Sequence, residues 1–178
     1  MSVQKDIVIS EIEQLVVFDL AGEQYGVDIQ GVQEIIRMQT ITKVPKTQSF
    51  VEGIINLRGK VIPVLDLRKR FGLDVSEINS ETRIVVVEIT DIIIGMIVDA
   101  VMEVLRIPQA SVEPPSPIVA NIDSDFIKGV GKLEDRLIII LDVHKIFSSQ
   151  ERDHLSEVAS KKALLKESEK KKEKQQAE

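Results

Sequence analysis

Short apolar runs separated by turn residues fill the first part of the chain. Residues 15–20 and 25–29 are two such runs, and residues 51–57 and 60–67 are two more. Runs rich in Val, Ile and Leu with turn residues between them are typical of antiparallel β-hairpins. Each pair is therefore predicted to form a hairpin, and Gly59 suits the tip of the second because glycine reaches positive φ without steric cost.

Three further segments give local predictions. The apolar residues of segment 30–37 have a helical spacing, which predicts a short helical turn. Pro63 cannot donate to a hydrogen-bond ladder, so its strand is expected at a sheet edge or with a bulge there. Ser148 followed by Glu151 resembles a capping box and predicts a helix from about Ser149. The Lys-rich segment after this helix has no apolar face and is expected to be a frayed helix end or disordered.

The chain contains an internal duplication. Residues 50–71 match residues 126–147 at a shift of 76, and residues 26–38 match residues 95–107 at a shift of 69. Because glycine, acidic, basic and aromatic residues agree in order, and not only aliphatic ones, we interpret the matches as two copies of a unit of roughly 60 residues. The second copy carries a Pro- and Ser-rich insertion between about residues 108 and 125.

Each unit has the strand content of a small SH3-like barrel. We therefore predict a mainly β fold, with two pseudo-symmetric five-stranded SH3-like barrels packed together and a C-terminal helix. A unit this small buries little surface alone, so packing is expected to create a third apolar layer and a cleft between the barrels. Residues 1–178 are predicted to form one domain, with subdomain 1 at about 14–72, subdomain 2 at about 83–147, and the helix and charged tail at 148–178.

Composition argues against several classes of function. A net charge of −6 and 3% aromatic residues disfavour nucleic-acid binding, which needs a basic surface or stacking rings. The absence of cysteine removes disulfides, thiolate nucleophiles and Cys-based zinc sites. The N-terminus has no apolar core long enough for a signal peptide, and the longest apolar run, residues 92–98, is too short for a membrane helix. We expect a cytoplasmic protein that does not insert into the membrane.

The sequence has no pattern typical of catalysis. Neither His144 nor His154 has a second ligand at metal spacing. A glycine-rich phosphate loop and a nucleophile elbow are also missing. Asp66 and Asp142 occupy the same place in the two units, which favours a structural hydrogen bond at a strand end over a catalytic role. The prediction is a protein that is not an enzyme and has no cofactor or metal.

The two units differ in charge at the tip of the second hairpin. Residues 56–60 (NLRGK) correspond to residues 132–136 (KLEDR). Arg58 is a candidate contact residue, because a guanidinium suits carboxylates or carbonyls on a partner. A residue that only keeps the loop soluble is an equal alternative. Glu34 and Arg37, shared by the two units, are explained by a local ion pair at helical spacing at least as well as by partner contact.

These motifs resemble the CheW family of chemotaxis coupling proteins over about residues 12–150. The resemblance rests on YGVDI and VQEI within residues 25–35, VEGIINLRG at 51–59, PVLDL at 63–67, and on Gly95, Val98-Asp99, Val101 and residues 129–142 of the second half. It implies two SH3-like barrels and a non-catalytic scaffold of bacterial chemotaxis. Such a scaffold couples the cytoplasmic hairpin tip of chemoreceptors to the regulatory domain of the histidine kinase CheA, at membrane-associated receptor arrays.

The resemblance also implies two contact surfaces. The receptor is expected in the cleft, near Val32, Glu34, Gly53, Asn56, Arg58 and Gly59. The kinase is expected at the end of the second barrel, around Arg83, Val85, Gly95, Val98 and Val104. Two alternatives stay open. One is a CheW-like regulatory module of a larger kinase or a coupling-response regulator, and the other is an SH3-style module for Pro-rich peptides, which the shortage of groove aromatics disfavours.

Overall fold

A computed structural model describes residues 12–115 and 124–160 of the protein. In chain order the strands are β1 (Ile12–Leu20), β2 (Glu23–Asp28), β3 (Val32–Arg37), β4 (Val51–Leu57), β5 (Lys60–Asp66), β6 (Arg83–Ile89), β7 (Ile92–Val98), β8 (Ala100–Pro108), β9 (Val112–Glu113), β10 (Ile127–Leu133) and β11 (Arg136–Leu141). The α-helices are α1 (Leu67–Arg70) and α2, which covers residues 149–160, and short 3-10 turns occupy Ile29–Gly31, Gln109–Ser111 and Ser124–Phe126.

The strands form two sheets with the same topology. Sheet A has the order β8-β1-β2-β11-β10-β9, and sheet B has the order β3-β6-β7-β5-β4. When each strand is replaced by its counterpart in the other sequence unit, the first five strands of sheet A become sheet B. The predicted fold class is confirmed: the protein is mainly β, with two pseudo-symmetric units of SH3-like size and a C-terminal helix.

The sheets do not follow the two sequence units along the chain. Strands β1 and β2 of the first unit join β8–β11 of the second in sheet A, while β6 and β7 of the second unit join β3–β5 in sheet B. Parallel pairings of β2 with β11 and of β5 with β7 connect the two units. The predicted limits, about 14–72 and about 83–147, therefore mark the repeated sequence and not the two sheets.

Each sheet curls so that its two edges approach each other. In sheet B, Thr42 forms a bridge with Ile54 of β4, and the two backbone hydrogen bonds are both 2.9 Å long. In sheet A, β9 pairs with β10 in the corresponding place. The chain that leaves the edge strand thus returns to the opposite edge. We refer to the two curled sheets as barrel A and barrel B.

Buried apolar residues form three clusters. One lies within barrel A, with Leu15, Val17, Ile107, Ile138 and Ile140. A second lies within barrel B, with Ile55, Ile62, Val64, Ile84 and Val86. The largest joins the two barrels and contains all five phenylalanines and the single tyrosine of the chain. This third layer is the one that packing two small units was predicted to create, and burial of aromatic side chains makes it a major source of stability.

Residues 32–37 form a strand, so the predicted helical turn over 30–37 is wrong except at its first residues. Strand β3 pairs with β6, and the register shifts between Val32 and Glu34. This bulge takes Gln33 out of the alternation of faces. As a result, Val32 and Ile35 lie on one face of the strand although they are three residues apart, a spacing that also fits a helix. Ile36 lies on the opposite face and packs inside barrel B.

Pro63 does not lie on an edge strand, and the register shift of its hairpin falls between Val51 and Gly53 in β4. Both alternatives predicted for Pro63 are therefore wrong. The ladder between β5 and β7 begins only at Val64. Because the pairing with β7 starts one residue later, an interior strand tolerates a residue without an N–H here.

The capping box at the start of α2 is confirmed. The N–H of Glu151 donates to Ser148 Oγ at 3.1 Å, and the N–H of Ser148 donates to Glu151 Oε1 at 2.9 Å. Leu155 and Val158 of this helix are buried. The frayed or disordered tail predicted after the helix lies outside the described residues. Across the described ranges, the structure contains no helix with the length and apolar character needed to span a bilayer.

Candidate protein-binding surfaces

The β4–β5 hairpin ends in a two-residue turn formed by Arg58 and Gly59. Their φ angles are 50° and 86°, and Leu57 pairs with Lys60 across the turn. Positive φ at both turn positions matches the twist of the flanking strands. Asn56 Oδ1 accepts the N–H of Gly59 at 2.9 Å. This bond fixes the turn and holds Arg58 at its tip.

The Arg58 guanidinium forms an ion pair with the carboxylate of Glu34 in β3. The Arg58 side chain is 74% exposed, whereas that of Glu34 is 25% exposed. Strands β3 and β4 are the two edges of sheet B, so the ion pair spans the closure of barrel B. A guanidinium has five N–H donors, so one acceptor uses only part of its capacity to bind a partner.

Barrel A contains an equivalent ion pair made by a different arginine. Arg136 Nη2 lies 2.7 Å from Glu103 Oε1, and Glu103 is the counterpart of Glu34. Arg136 corresponds to Lys60, two positions beyond the counterpart of Arg58. The reversed charge at the tip therefore does not remove the ion pair. Barrel closure accounts for part of the role of Arg58, and what is specific to barrel B is an arginine at the exposed tip.

The predicted local ion pair between Glu34 and Arg37 is wrong, because Glu34 pairs with Arg58. Residues three apart on a strand point to opposite faces, so the helical spacing that motivated the prediction does not apply. The same holds in barrel A, where Glu103 pairs with Arg136 and not with Arg106.

The six residues predicted to contact a receptor divide into three groups. Glu34, Asn56, Arg58 and Gly59 are linked by the contacts described above and form one surface, which we call the tip surface. Val32 begins β3, is half-buried and packs against the inter-barrel cluster. Gly53 is buried with φ at 148°, and a Cβ there would lie 2.2 Å from the carbonyl oxygen of Thr42. Gly53 therefore allows the close approach that closes barrel B.

The residues predicted to contact the kinase do not form one surface. Val85 and Val98 are 0% exposed and belong to the inter-barrel cluster, and Gly95 packs against Ile84. Because these three residues lie in the core, they are not exposed for direct contact with the kinase. Arg83 is half-buried and donates to the carbonyls of residues 80 and 82. Of the set, Val104 alone is an exposed apolar side chain.

Edge strand β8 exposes two apolar side chains, and only one of them, Val104, was predicted as a contact residue. Met102 is 50% exposed and Val104 is 52% exposed. Ile35, the counterpart of Val104 in edge strand β3, is 40% exposed. Apolar residues at matching outward positions of the two units are a signal in the sequence, but it can be recognised only after the strands and the bulge are assigned correctly.

The predicted cleft between the barrels is present, with a volume of about 480 Å³. Polar side chains from both sheets line it, among them Asp28, Glu88, Asp142 and His144. Gly59 lies elsewhere, in a more apolar groove of about 400 Å³ between β5, the start of β7 and α2. We call this the α2 groove; the residues that line it include Val61, Pro63, Ile92, Ile93, Leu155 and Ala159.

The repeated aspartates at strand ends accept backbone hydrogen bonds. Asp66 Oδ1 accepts the N–H of Arg68 at 2.9 Å, and Asp142 Oδ1 accepts the N–H of His144 at 3.0 Å. This confirms the structural role predicted from their equivalent positions. Burial raises the pKa of the Asp66 carboxyl above its ordinary value.

Asp99 joins the first hairpin of the chain to α1. It accepts two hydrogen bonds from the Arg68 guanidinium and one, 2.8 Å long, from the N–H of Ala21. Burial acts to raise the pKa of Asp99, but these hydrogen bonds outweigh it, so its pKa lies below the ordinary value. Donating these hydrogen bonds to Asp99 raises the pKa of Arg68. Within the described ranges, no group of three or more His, Asp or Glu side chains is arranged to hold a metal ion.

The structure is a double barrel with an exposed turn that a hydrogen bond and an ion pair hold in place, and comparison with known proteins identifies its family. Residues 14–151 match the model of the CheW-like domain. The chain is 37% identical over 147 residues to the chemotaxis protein CheW of Treponema pallidum, and the match covers 80% of this chain and 86% of that protein. This chain belongs to the CheW family.

A solved structure and a longer relative extend the comparison. The crystal structure of the scaffolding protein TtCheW from Thermoanaerobacter tengcongensis matches with a TM-score of 0.72 and 48% identity, over 78% of this chain and 90% of that chain. The chemotaxis protein CheV3 of Helicobacter pylori is 33% identical over 152 residues, which cover 79% of this chain but 49% of that protein. The same domain therefore also occurs inside a larger chemotaxis protein.

Proposed function

We propose that the protein is a non-catalytic chemotaxis scaffold that couples chemoreceptors to the histidine kinase CheA. Membership in the CheW family supports this role. The structural observation that carries it is the tip surface, in which an exposed arginine is held by a rigid turn and an ion pair. The protein acts by holding its partners together, so that a conformational change in the receptor shifts the equilibrium of the kinase.

The receptor hairpin docks on the tip surface and extends into the α2 groove. Gly59 belongs to both, so the arginine and the apolar groove are adjacent. A receptor tip is helical, and the apolar face of an amphipathic helix fits such a groove. Arg58 then binds a carboxylate or a free backbone carbonyl of the receptor. Gly53 contributes indirectly, by allowing barrel B to close.

The regulatory domain of the kinase docks on edge strand β8 of barrel A. Val104 and Met102 present apolar surface there, flanking the charged pair of Glu103. Arg83, Val85, Gly95 and Val98 act through the fold of β6 and β7. Because the two docking surfaces lie on different barrels, one molecule can hold both partners at once. The proposal places the protein in the cytoplasm, at membrane-associated receptor arrays.

Reconstitution with purified kinase and receptor tips tests the coupling role. Kinase phosphorylation is followed over time with and without this protein, and with an Arg58→Ala variant. We expect receptor control of the kinase to require the wild-type protein and to weaken with the variant. Equal receptor control with and without the protein would overturn the proposal.

The match to a longer chemotaxis protein favours one alternative, a CheW-like module of a larger kinase or coupling-response regulator. The coding sequence beside this segment tests it. A receiver domain or kinase core in the same reading frame would decide for the alternative.

A further inference from the structure

Arg70, the last residue of α1, joins both barrels and α2. Its Nε and Nη2 donate to the carbonyl oxygen of Ile146 at 3.0 and 2.7 Å, and Nη2 lies 3.3 Å from Glu151 Oε1. The side chain is only 18% exposed. A cation withdrawn from water needs acceptors of this kind, and a charge-assisted fork to fixed oxygens is strongly directional.

Three phenylalanine rings surround the Arg70 guanidinium. The Cζ atom lies 5.1, 4.8 and 5.6 Å from the ring centroids of Phe50, Phe126 and Phe147. Phe50 directly precedes β4 of barrel B, whereas Phe126 and Phe147 flank the β10–β11 hairpin of barrel A. A cation near ring faces is attracted by their quadrupoles, so this one side chain is attached to aromatic residues of both barrels.

Arg70 is also a place where the pseudo-symmetry is broken. At the shift of 76, Phe50 corresponds to Phe126, and Arg70 corresponds to Ile146, the residue whose carbonyl it binds. Counterparts that touch each other lie beside the pseudo-symmetry axis. Two arginines there would place like charges together in a partly buried site. One arginine and one isoleucine join the units without that repulsion.

We propose that Arg70 is a positioning residue that fixes the angle between the two barrels and couples that angle to the first turn of α2. The apolar layer between the barrels supplies attraction without a preferred direction. Hydrogen bonds to Ile146 and Glu151 have a defined geometry and therefore select one orientation. The consequence for coupling rests on the proposed function, since the angle sets the spacing of the receptor and kinase surfaces; the orienting role itself does not.

A distance measurement between the barrels tests this proposal on the full chain. Because the sequence contains no cysteine, Lys60→Cys on barrel B and Glu134→Cys on barrel A introduce two unique labelling sites, and both positions are exposed. Electron–electron double resonance between spin labels then gives the distance distribution. With Arg70 present we expect one narrow distribution. Arg70→Met keeps an unbranched side chain against the rings but removes every N–H donor, and we expect it to shift or broaden the distribution.

Arg152→Met is the matched control. Arg152 belongs to α2, the helix that Arg70 contacts, and donates to Thr90 Oγ1 at 3.1 Å, but this bond reaches barrel B alone. We expect the control to keep the wild-type distance distribution. If Arg70→Met folds, as judged by circular dichroism, and also keeps the wild-type distribution, the proposal is overturned and Arg70 only stabilises the fold.

If Arg70→Met does not fold, Arg70→Lys decides the question. Lysine keeps a charge near the rings but cannot form the fork to the carbonyl of Ile146, so a shifted distribution supports the proposal and an unchanged one overturns it. Neither receptor nor kinase is present in these measurements. Their outcome is therefore independent of whether the protein couples the two.

Discussion

Arg58 in the β4–β5 turn pairs with Glu34 in β3, and these residues lie on opposite edges of one curled sheet. Arg136 and Glu103 cross the closure of the other barrel in the same way, at 2.7 Å. The acidic residue of this ion pair thus has the same position in both units, but the arginine that pairs with it comes from different positions. Barrel A shows that an arginine at another position can also close a barrel. The location of Arg58 at the exposed tip of barrel B therefore needs a further reason, and partner binding provides one.

Arg58→Ala is predicted to separate binding from stability. The ion pair is exposed, so its loss should lower the free energy of unfolding by only about 0–1 kcal/mol. If the arginine contacts the receptor, affinity for a receptor-tip fragment should fall roughly tenfold, which corresponds to about 1.4 kcal/mol. Urea unfolding measures the first quantity and calorimetric titration the second.

The control for this prediction is Arg136→Ala, which breaks the equivalent pair in barrel A. Arg136 also donates two hydrogen bonds to Gln24 Oε1. We therefore expect a loss of unfolding free energy at least as large as that of Arg58→Ala and an unchanged affinity for the receptor tip. Equal losses of affinity in both variants, or no loss in either, would mean that Arg58 serves barrel closure alone.

Val104→Asp is predicted to weaken binding to the isolated regulatory domain of the kinase. Val104 is 52% exposed, so the substitution places a charge on an apolar docking surface while changing stability by only about 0.5 kcal/mol. Ile35→Asp makes the same change at the counterpart position of barrel B, which is 40% exposed. It should leave kinase affinity unchanged. Retained binding by Val104→Asp would remove β8 from the proposed kinase surface.

The sequence predicts the hairpins because turn residues between apolar runs are local signals, and it predicts the duplication because the two copies keep their residues in the same order. The third apolar layer follows from the small size of each unit. It does not predict that the first hairpin of each unit joins the other unit's sheet. Strand β2 of the first unit pairs with β11 of the second unit. It does not pair with β5, the counterpart of β11 in the first unit. Since β5 and β11 carry equivalent apolar patterns, β2 suits either one. Only the three-dimensional path of the connections separates the two arrangements.

Prediction of the surfaces from sequence fails where exposure depends on distant residues. Val85 and Val98 belong to an apolar layer supplied by both barrels, so their own strands do not reveal which face is covered. Arg70 sits in the segment LRKR, which is typical of a solvated helix. Its burial comes from phenylalanines that precede β4 and flank a hairpin of the other unit. The tip residues were predictable because a turn is exposed by its own geometry.

Gly53→Ala is predicted to destabilise the fold by about 2–4 kcal/mol, because it combines backbone strain with a steric overlap. The φ angle of 148° disfavours any side chain, and the new Cβ would lie 2.2 Å from a backbone oxygen. Gly129→Ala, at the counterpart position, is the control. Its φ does not lie in the region that favours glycine, and its Cβ would lie 2.7 Å from a methyl of Val112 and 2.9 Å from the carbonyl oxygen of Glu113. Because both distances exceed the 2.2 Å at Gly53, we expect a smaller loss.

Urea unfolding of both glycine variants checks this comparison. If Gly53 serves the fold, the folded fraction of Gly53→Ala should bind the receptor tip with wild-type affinity. Similar losses of stability in the two variants would contradict the role assigned to the backbone at Gly53, and reduced affinity of the folded fraction would instead support a direct contact.

The stability contributed by Asp99 is predicted to depend on pH. Hydrogen bonds from Arg68 and Ala21 hold its pKa below 3.8, so folding favours the carboxylate. A carboxyl whose pKa is lowered by folding stabilises the protein above its unfolded pKa, and this contribution is lost as pH falls through the lower, folded value. Asp99→Asn should therefore cost about 1–3 kcal/mol at pH 7, and the difference from wild type should shrink below about pH 4.

Asp66→Asn provides the control with the opposite sign. Burial raises the pKa of Asp66, so its charged form costs stability at neutral pH, while asparagine keeps the oxygen that accepts the N–H of Arg68. We expect this variant to be at least as stable as wild type at pH 7, with any gain fading in acid. Urea unfolding of both variants at several values between about pH 3 and 7, a range that includes carboxyl titration, measures how the free energy of unfolding of each variant depends on pH. A loss for Asp99→Asn that stays constant across this range would show that Asp99 contributes through neutral hydrogen bonding and not through its charge.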